Sequence, residues 1–113
     1  MTPAAFRKAA RSLPGAIEGS HMGTADFRAN GRIFATVGYP QAQYAMVKLS
    51  PDEQAIVVAG APDTFTPVPG GWGKRGATRV LLKTADLAAV KSALNLAHGA
   101  VVAKKPSRPR KKA

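Results

Sequence analysis

Asp26–Val37, DFRANGRIFATV, is the stretch whose reading decides the fold. Asn30-Gly31 lies at its centre. A two-residue type I′ turn needs positive φ at both central positions, and Asn and Gly reach that region at least cost. An unbroken ladder from such a turn pairs Ala29 with Arg32, Phe27 with Phe34 and Asp26 with Ala35. Phe27 and Phe34 then form a cross-strand aromatic pair on one face. Arg28 and Arg32 flank the tip and project to opposite faces. Taken alone, this is a structural hairpin with solvated arginines; taken with its neighbours, the tip is a candidate contact for an anionic polymer, straddling a backbone without reading bases.

Outward from the hairpin, the chain reads as one small α+β domain. Thr2-Pro3 is an N-cap followed by a proline at the first helical position, and Phe6, Ala9, Ala10 and Leu13 form one apolar stripe. Pro14-Gly15 ends this helix. Glu18–Met22 reads as a short edge strand, because Gly19 and Gly23 oppose a long regular one. The second hairpin arm, apolar at Ile33, Phe34, Ala35 and Val37, reads as a central strand broken by Gly38 and Pro40.

Gln43–Leu49 resumes as a strand, with Ala45, Val47 and Leu49 on one face and Tyr44, Met46 and Lys48 on the other. Ser50-Pro51-Asp52-Glu53 is a capping-box sequence that opens a helix ending near Gly60. Thr64–Val68 is a short strand candidate, and Thr78–Lys83 another, with Val80 and Leu82 inward. Thr84 is the expected cap of the last helix, whose stripe is Leu87, Val90, Leu94, Ala97 and Val101. The order is helix, three to four strands, helix, one to two strands, helix. It predicts a two-layer sandwich with an antiparallel sheet and helices on one face. Residues 1–103 form the domain, and the basic stretch 104–113, interrupted by Pro106 and Pro109, is expected to be disordered.

Composition bounds the function. The chain has 113 residues, 45% of them hydrophobic, and no cysteine. Disulfides, thiolate zinc sites and cysteine nucleophiles are thereby excluded. No apolar run approaches the roughly 20 residues that span a bilayer, and Met1-Thr2-Pro3 lacks a signal-peptide layout, so the expectation is cytoplasmic with no membrane partner. The net charge of +11 is the outlying property. Lys104, Lys105, Arg108, Arg110, Lys111 and Lys112 supply six of the cations, yet residues 1–103 still carry 11 basic against 6 acidic side chains. A polyanion partner follows, with DNA the first expectation.

Gly70–Arg79, GGWGKRGATR, is the best candidate contact segment. Its glycines allow backbone N–H groups near a phosphate, Lys74 and Arg75 supply charge, Arg79 continues on the next strand, and Trp72 is available to stack on a base or sugar. The spacing is not that of a phosphate-binding P-loop. The competing reading packs Trp72 in the core and leaves the cations solvated. The tail reads either as an arm following phosphates, with a salt slope of about −5 for about six contacts, or as a solubilising extension. His21 and His98 are the two histidines; no further ligands lie at recognisable metal spacing, and His21 reads as a structural hydrogen-bonding residue and not a catalyst. No metal site, cofactor or small-molecule substrate is inferred, and no catalytic constellation is present.

FRKAARSLPGAIEGSHMG, DFRANGRIFATV, AMVKLSPDEQ and PVPGGWGKRGATRVLL together resemble the MmcQ/YjbR family of small bacterial proteins, over about residues 3–100 and in family order. The resemblance implies a two-layer fold similar to secretion chaperones, also described as CyaY-like. Family members are commonly named DNA-binding proteins. Glu18-Gly19-Ser20-His21 and Trp72–Gly76 match characteristic parts of the pattern, without identifying a catalytic or binding residue. The leading expectation is a non-enzymatic DNA-binding protein with phosphate-backbone contacts and little sequence specificity. The competing one is a protein-interaction module using an open sheet face or edge, for which an exposed Tyr44, Met46 and Leu81 patch would speak.

Overall fold

The computed structural model describes residues 1–21, 24–38 and 41–103, His21 by its backbone alone. Four helices and six strands follow in the order α1 (Pro3–Arg11), β1 (Ile17–His21), β2 (Thr24–Ala29), β3 (Arg32–Val37), β4 (Tyr44–Lys48), α2 (Pro51–Gly60), β5 (Phe65–Pro67), α3 (Gly71–Lys74), β6 (Ala77–Leu81) and α4 (Leu87–Ala103). The strands form one antiparallel sheet in the order β1-β2-β3-β4-β6-β5. This is the expected α+β class. β1 is an edge strand and β3 is central.

The hairpin turn forms as its chemistry dictates: Asn30 has φ 55° and Gly31 φ 71°. Ala29 faces Arg32 and Arg28 faces Ile33, but the ladder then shifts, so that Phe27 faces Ala35 and Asp26 faces Thr36. The expected pairings of Phe27 with Phe34 and of Asp26 with Ala35 are therefore incorrect. Phe34 is an extra residue, a β-bulge in β3. The cause is parity. Phe34 and Val37 are three apart, so a regular strand would send them to opposite faces. With the bulge, Phe34, Ala35 and Val37 all enter one core. The two phenylalanines then serve different helices. Phe27 meets Phe6 of α1 edge-on with centroids 6.4 Å apart, and Phe34 meets His98 of α4 at 5.5 Å.

α1 and α4 pack on that face of the sheet. α1 buries Phe6, Ala9 and Ala10; α4 buries Val90, Ala93, Leu94, Ala97 and Val101. Leu87, expected on the apolar stripe, is exposed because it is the first residue of α4, ahead of the first turn that touches the core. Asp86, not Thr84, caps this helix, accepting from Ala89 N at 3.2 Å. Thr84 instead lies in a 3₁₀ turn, Leu82–Thr84, and bonds to Thr64 and Asp63 across to the β5 entry. The Ser50/Glu53 capping box of α2 is complete, with bonds of 3.1 and 3.0 Å.

The opposite face is not open throughout. α3, a single turn within the glycine-rich segment, accompanies a small second cluster of Met46, Val68 and Ala77. Gly73 and Gly76 permit this. A Cβ at Gly73 would sit 1.7 Å from the Val68 carbonyl oxygen, and one at Gly76 would sit 1.8 Å from that of Leu49. Gln54 of α2 ties the layer together, donating to Gly73 O at 2.9 Å and Ala77 O at 3.1 Å.

α1 is also clamped to the sheet edge. Glu18 of β1 accepts from Arg7 at 2.7 Å and from Arg11 at 3.0 Å. Burial pushes the Glu18 carboxyl up, but the hydrogen bonds and charges of Arg11 and Arg7 outweigh it and hold its pKa below the ordinary 4.5. The unfolded chain therefore takes up this proton first as pH falls. The contribution of Glu18 is present above about pH 4.5 and is lost as pH drops through the lower folded value. Urea titrations at several pH values should show the parent midpoint falling more steeply below that point than the midpoint of Glu18→Gln. The same assay should rank the glycines. Gly73→Ala and Gly76→Ala should each cost about 3 kcal/mol or more through backbone displacement, whereas Gly31→Ala, strained but unobstructed, should cost about 1 kcal/mol.

Candidate nucleic-acid interface

Two joints meet at one end of the sheet. The hairpin tip is fixed against the C-terminal part of α4, because Asn30 Nδ2 donates to Val101 O at 3.1 Å. The β4–α2 junction is fixed against the start of β6, because Leu49 N donates to Gly76 O at 3.2 Å. Between them lies a groove of about 530 Å³. Arg28 and Arg32 of the hairpin, Lys48 at the end of β4 and Arg75 at the end of α3 line it. Ile33, Leu49, Ala100 and Val101 supply apolar wall, and no lining residue is acidic.

The four cations are held differently. Arg28 donates from Nε to Asp26 Oδ1 at 3.1 Å, and the Asp26 side chain beneath it is only 1% exposed. Both sit on one face because they are two apart on β2. The hydrogen bond and charge of Asp26 raise the Arg28 pKa above its ordinary value, so the guanidinium stays charged. Nearly half of the Arg28 side chain still meets solvent. Arg32 is half-buried, while Lys48 and Arg75 are exposed. Close like charges in a concave surface focus a positive potential that favours anions.

Of the residues singled out in the sequence, the fold therefore brings Arg28, Arg32 and Arg75 together. Lys48 was missed. Its signal was the position immediately before Leu49-Ser50-Pro51, where a strand ends and a helix cap begins. Trp72 and Lys74 lie on α3 outside the groove lining. Trp72 is 39% exposed, so it is not a core residue. Arg79 is engaged on the sheet: its guanidinium carbon lies 4.6 Å from the Tyr44 ring centroid, and Nε donates to Thr66 Oγ1 at 2.6 Å. The backbone N–H groups of Lys74, Arg75 and Gly76 bond to Gly70, Gly71 and Gly73 carbonyls, so these three amides are taken, and Gly73 and Gly76 serve close packing.

The His21 side chain and the tail cations Lys104, Lys105, Arg108, Arg110, Lys111 and Lys112 lie outside the described residues. His98 bonds through Nε2 to Pro14 O at 2.6 Å, a brace between α4 and the end of α1. Among the described residues no group of three or more His, Cys, Asp or Glu is placed to hold a metal ion. No helix there is long and apolar enough to cross a membrane. The Tyr44, Met46 and Leu81 patch does not form, since Met46 is fully buried and Tyr44 lies against Arg79.

Structural and available cations should separate in stability measurements. Arg28→Ala should lower the urea midpoint, because it strips the buried Asp26 carboxylate of its counter-charge. Arg75→Ala and Lys48→Ala should leave that midpoint within experimental error.

Comparison with known proteins follows the same lines. The computed structure aligns with the crystal structure of Deinococcus radiodurans protein DR2400, a DUF419 domain, with a TM-score of 0.73 and 19% identity, covering 91% of this chain and 83% of that one. At that identity the likeness concerns the fold. No curated protein matches the sequence. The family model described as YjbR matches residues 11–99, which takes in the edge strand, the hairpin, the capping box and the glycine-rich segment. The chain belongs to the YjbR family.

Proposed function

We propose that the protein is a non-enzymatic DNA-binding module that holds the phosphate backbone with little regard to sequence. The groove carries this reading: four cations from three separate parts of the chain, the hairpin, the end of β4 and the end of α3, converge on it, and no acid lines it. Elsewhere on the body three arginines are engaged internally, while Lys8, Lys74, Lys83 and Lys91 are exposed outside the groove. Arg7 and Arg11 are bound to Glu18, and Arg79 lies on Tyr44. Charge gathered at a groove contacts phosphates at fixed spacing, whereas a diffuse excess gives weak association. The lining offers no planar amide pattern for reading base edges, so discrimination between sequences is small. The six cations of residues 104–113 add affinity along the same polymer.

A salt titration of binding to a 20-base-pair duplex tests this. Lys48→Ala/Arg75→Ala in the full chain should flatten the slope of log K against log salt by about 2, one unit per lost contact. Lys83→Ala/Lys91→Ala removes the same charge from exposed positions outside the groove and should leave the slope unchanged. Equal flattening by both pairs would mean that total charge, not the groove, governs binding.

A further inference from the structure

Half of the groove is of the wrong character for a duplex backbone. Ile33, Leu49, Ala100 and Val101 add aliphatic wall beside the four cations. A phosphate rail on a duplex meets charge and has no use for a recessed apolar surface. The cavity, about 530 Å³, falls within the size range of roughly 300–1,000 Å³ found for small-ligand sites. A B-DNA duplex presents its bases stacked inside, behind its phosphates, and cannot place one in such a recess.

We infer that the groove accommodates one unstacked nucleotide of a single DNA strand, its base against Ile33 and Ala100 and its phosphates toward the cationic rim that includes Lys48 and Arg75. This rests on the DNA-binding reading and narrows it to single strands, frayed ends or gaps. Leu49 and Val101, 4% and 5% exposed, belong to the core and form a fixed floor, while the partly exposed Ile33 and Ala100 carry the accessible apolar surface. Arg28 is anchored by Asp26, so it holds the groove's shape while the exposed Lys48 and Arg75 meet the strand. Among the described residues the wall has no aromatic ring, so the base is held by aliphatic contact and the four bases are treated alike.

The test uses the full chain with a 12-nucleotide oligothymidylate and a 12-base-pair duplex, followed by fluorescence anisotropy at one salt concentration. The single strand should bind at least about fivefold more tightly, although it carries half the charge and releases fewer counterions per phosphate. An oligothymidylate containing 4-thiothymidine, irradiated in the complex, should crosslink to peptides containing residues 31–33, 48–51 or 100–101. Free thymidine monophosphate should compete at least about 100-fold less well than the strand, because it lacks the flanking phosphate contacts. Equal or tighter duplex binding, or crosslinks confined to residues 104–113, would overturn the single-strand assignment and leave backbone binding standing. Competition by free mononucleotide at the strand's own concentration would likewise overturn it, in favour of a mononucleotide site. Absence of binding to either oligonucleotide would overturn both readings.

Discussion

A strand can bury two residues on one face only if an even number of positions separates them, and β3 must bury Phe34 and Val37, which are three apart. The bulge at Phe34 resolves this conflict, and much of the molecule depends on it. It delivers Phe34 to α4 and leaves Phe27 to α1, so each of these two helices gains an aromatic partner on the central hairpin. It also sends Thr36 to the opposite face, in register with Asp26 and Met46. A bulge increases local twist and bends the strand. The hairpin tip is thereby brought within hydrogen-bonding reach of α4, where Asn30 meets the Val101 carbonyl.

The second device is the pair of close approaches at Gly73 and Gly76. These glycines hold α3 against Val68 and the start of β6 against Leu49 at distances that no side chain would permit. Arg75 lies between them and Lys48 lies beside Leu49, so the same contacts that close the small Met46 cluster set the far wall of the groove. The groove is thus a by-product of two packing solutions meeting at one end of the sheet. Its floor is rigid because it is the outer surface of the core. Its rim is cationic because exposed positions there are free to be Lys or Arg without disturbing that core.

Charge on this molecule divides by role. Arg7, Arg11 and Arg28 close on carboxylates and secure an edge strand or a buried acid. Arg79 is laid on Tyr44 and tied to Thr66. Lys48 and Arg75 are exposed at the groove. Formal net charge counts all of these equally, although their capacity to meet a phosphate differs.

The sequence by itself determined the element order, the Asn30-Gly31 turn, the Ser50–Glu53 cap, the central place of β3 and the family resemblance. Each of these is local: turn and cap chemistry operates within four residues, and strand and helix periodicity within about ten. The bulge was half-legible, since the odd spacing of Phe34 and Val37 was visible, but its position required knowing which face held the helices. Burial of Met46, the packing role of the glycines, and the meeting of Lys48 and Arg75 with the hairpin arginines were decided by tertiary structure alone. These pairs are separated by tens of residues, and only the sheet order, which brings β6 between β4 and β5, makes them neighbours. Strand periodicity states which face a side chain takes; it does not state what the rest of the chain will lay against that face.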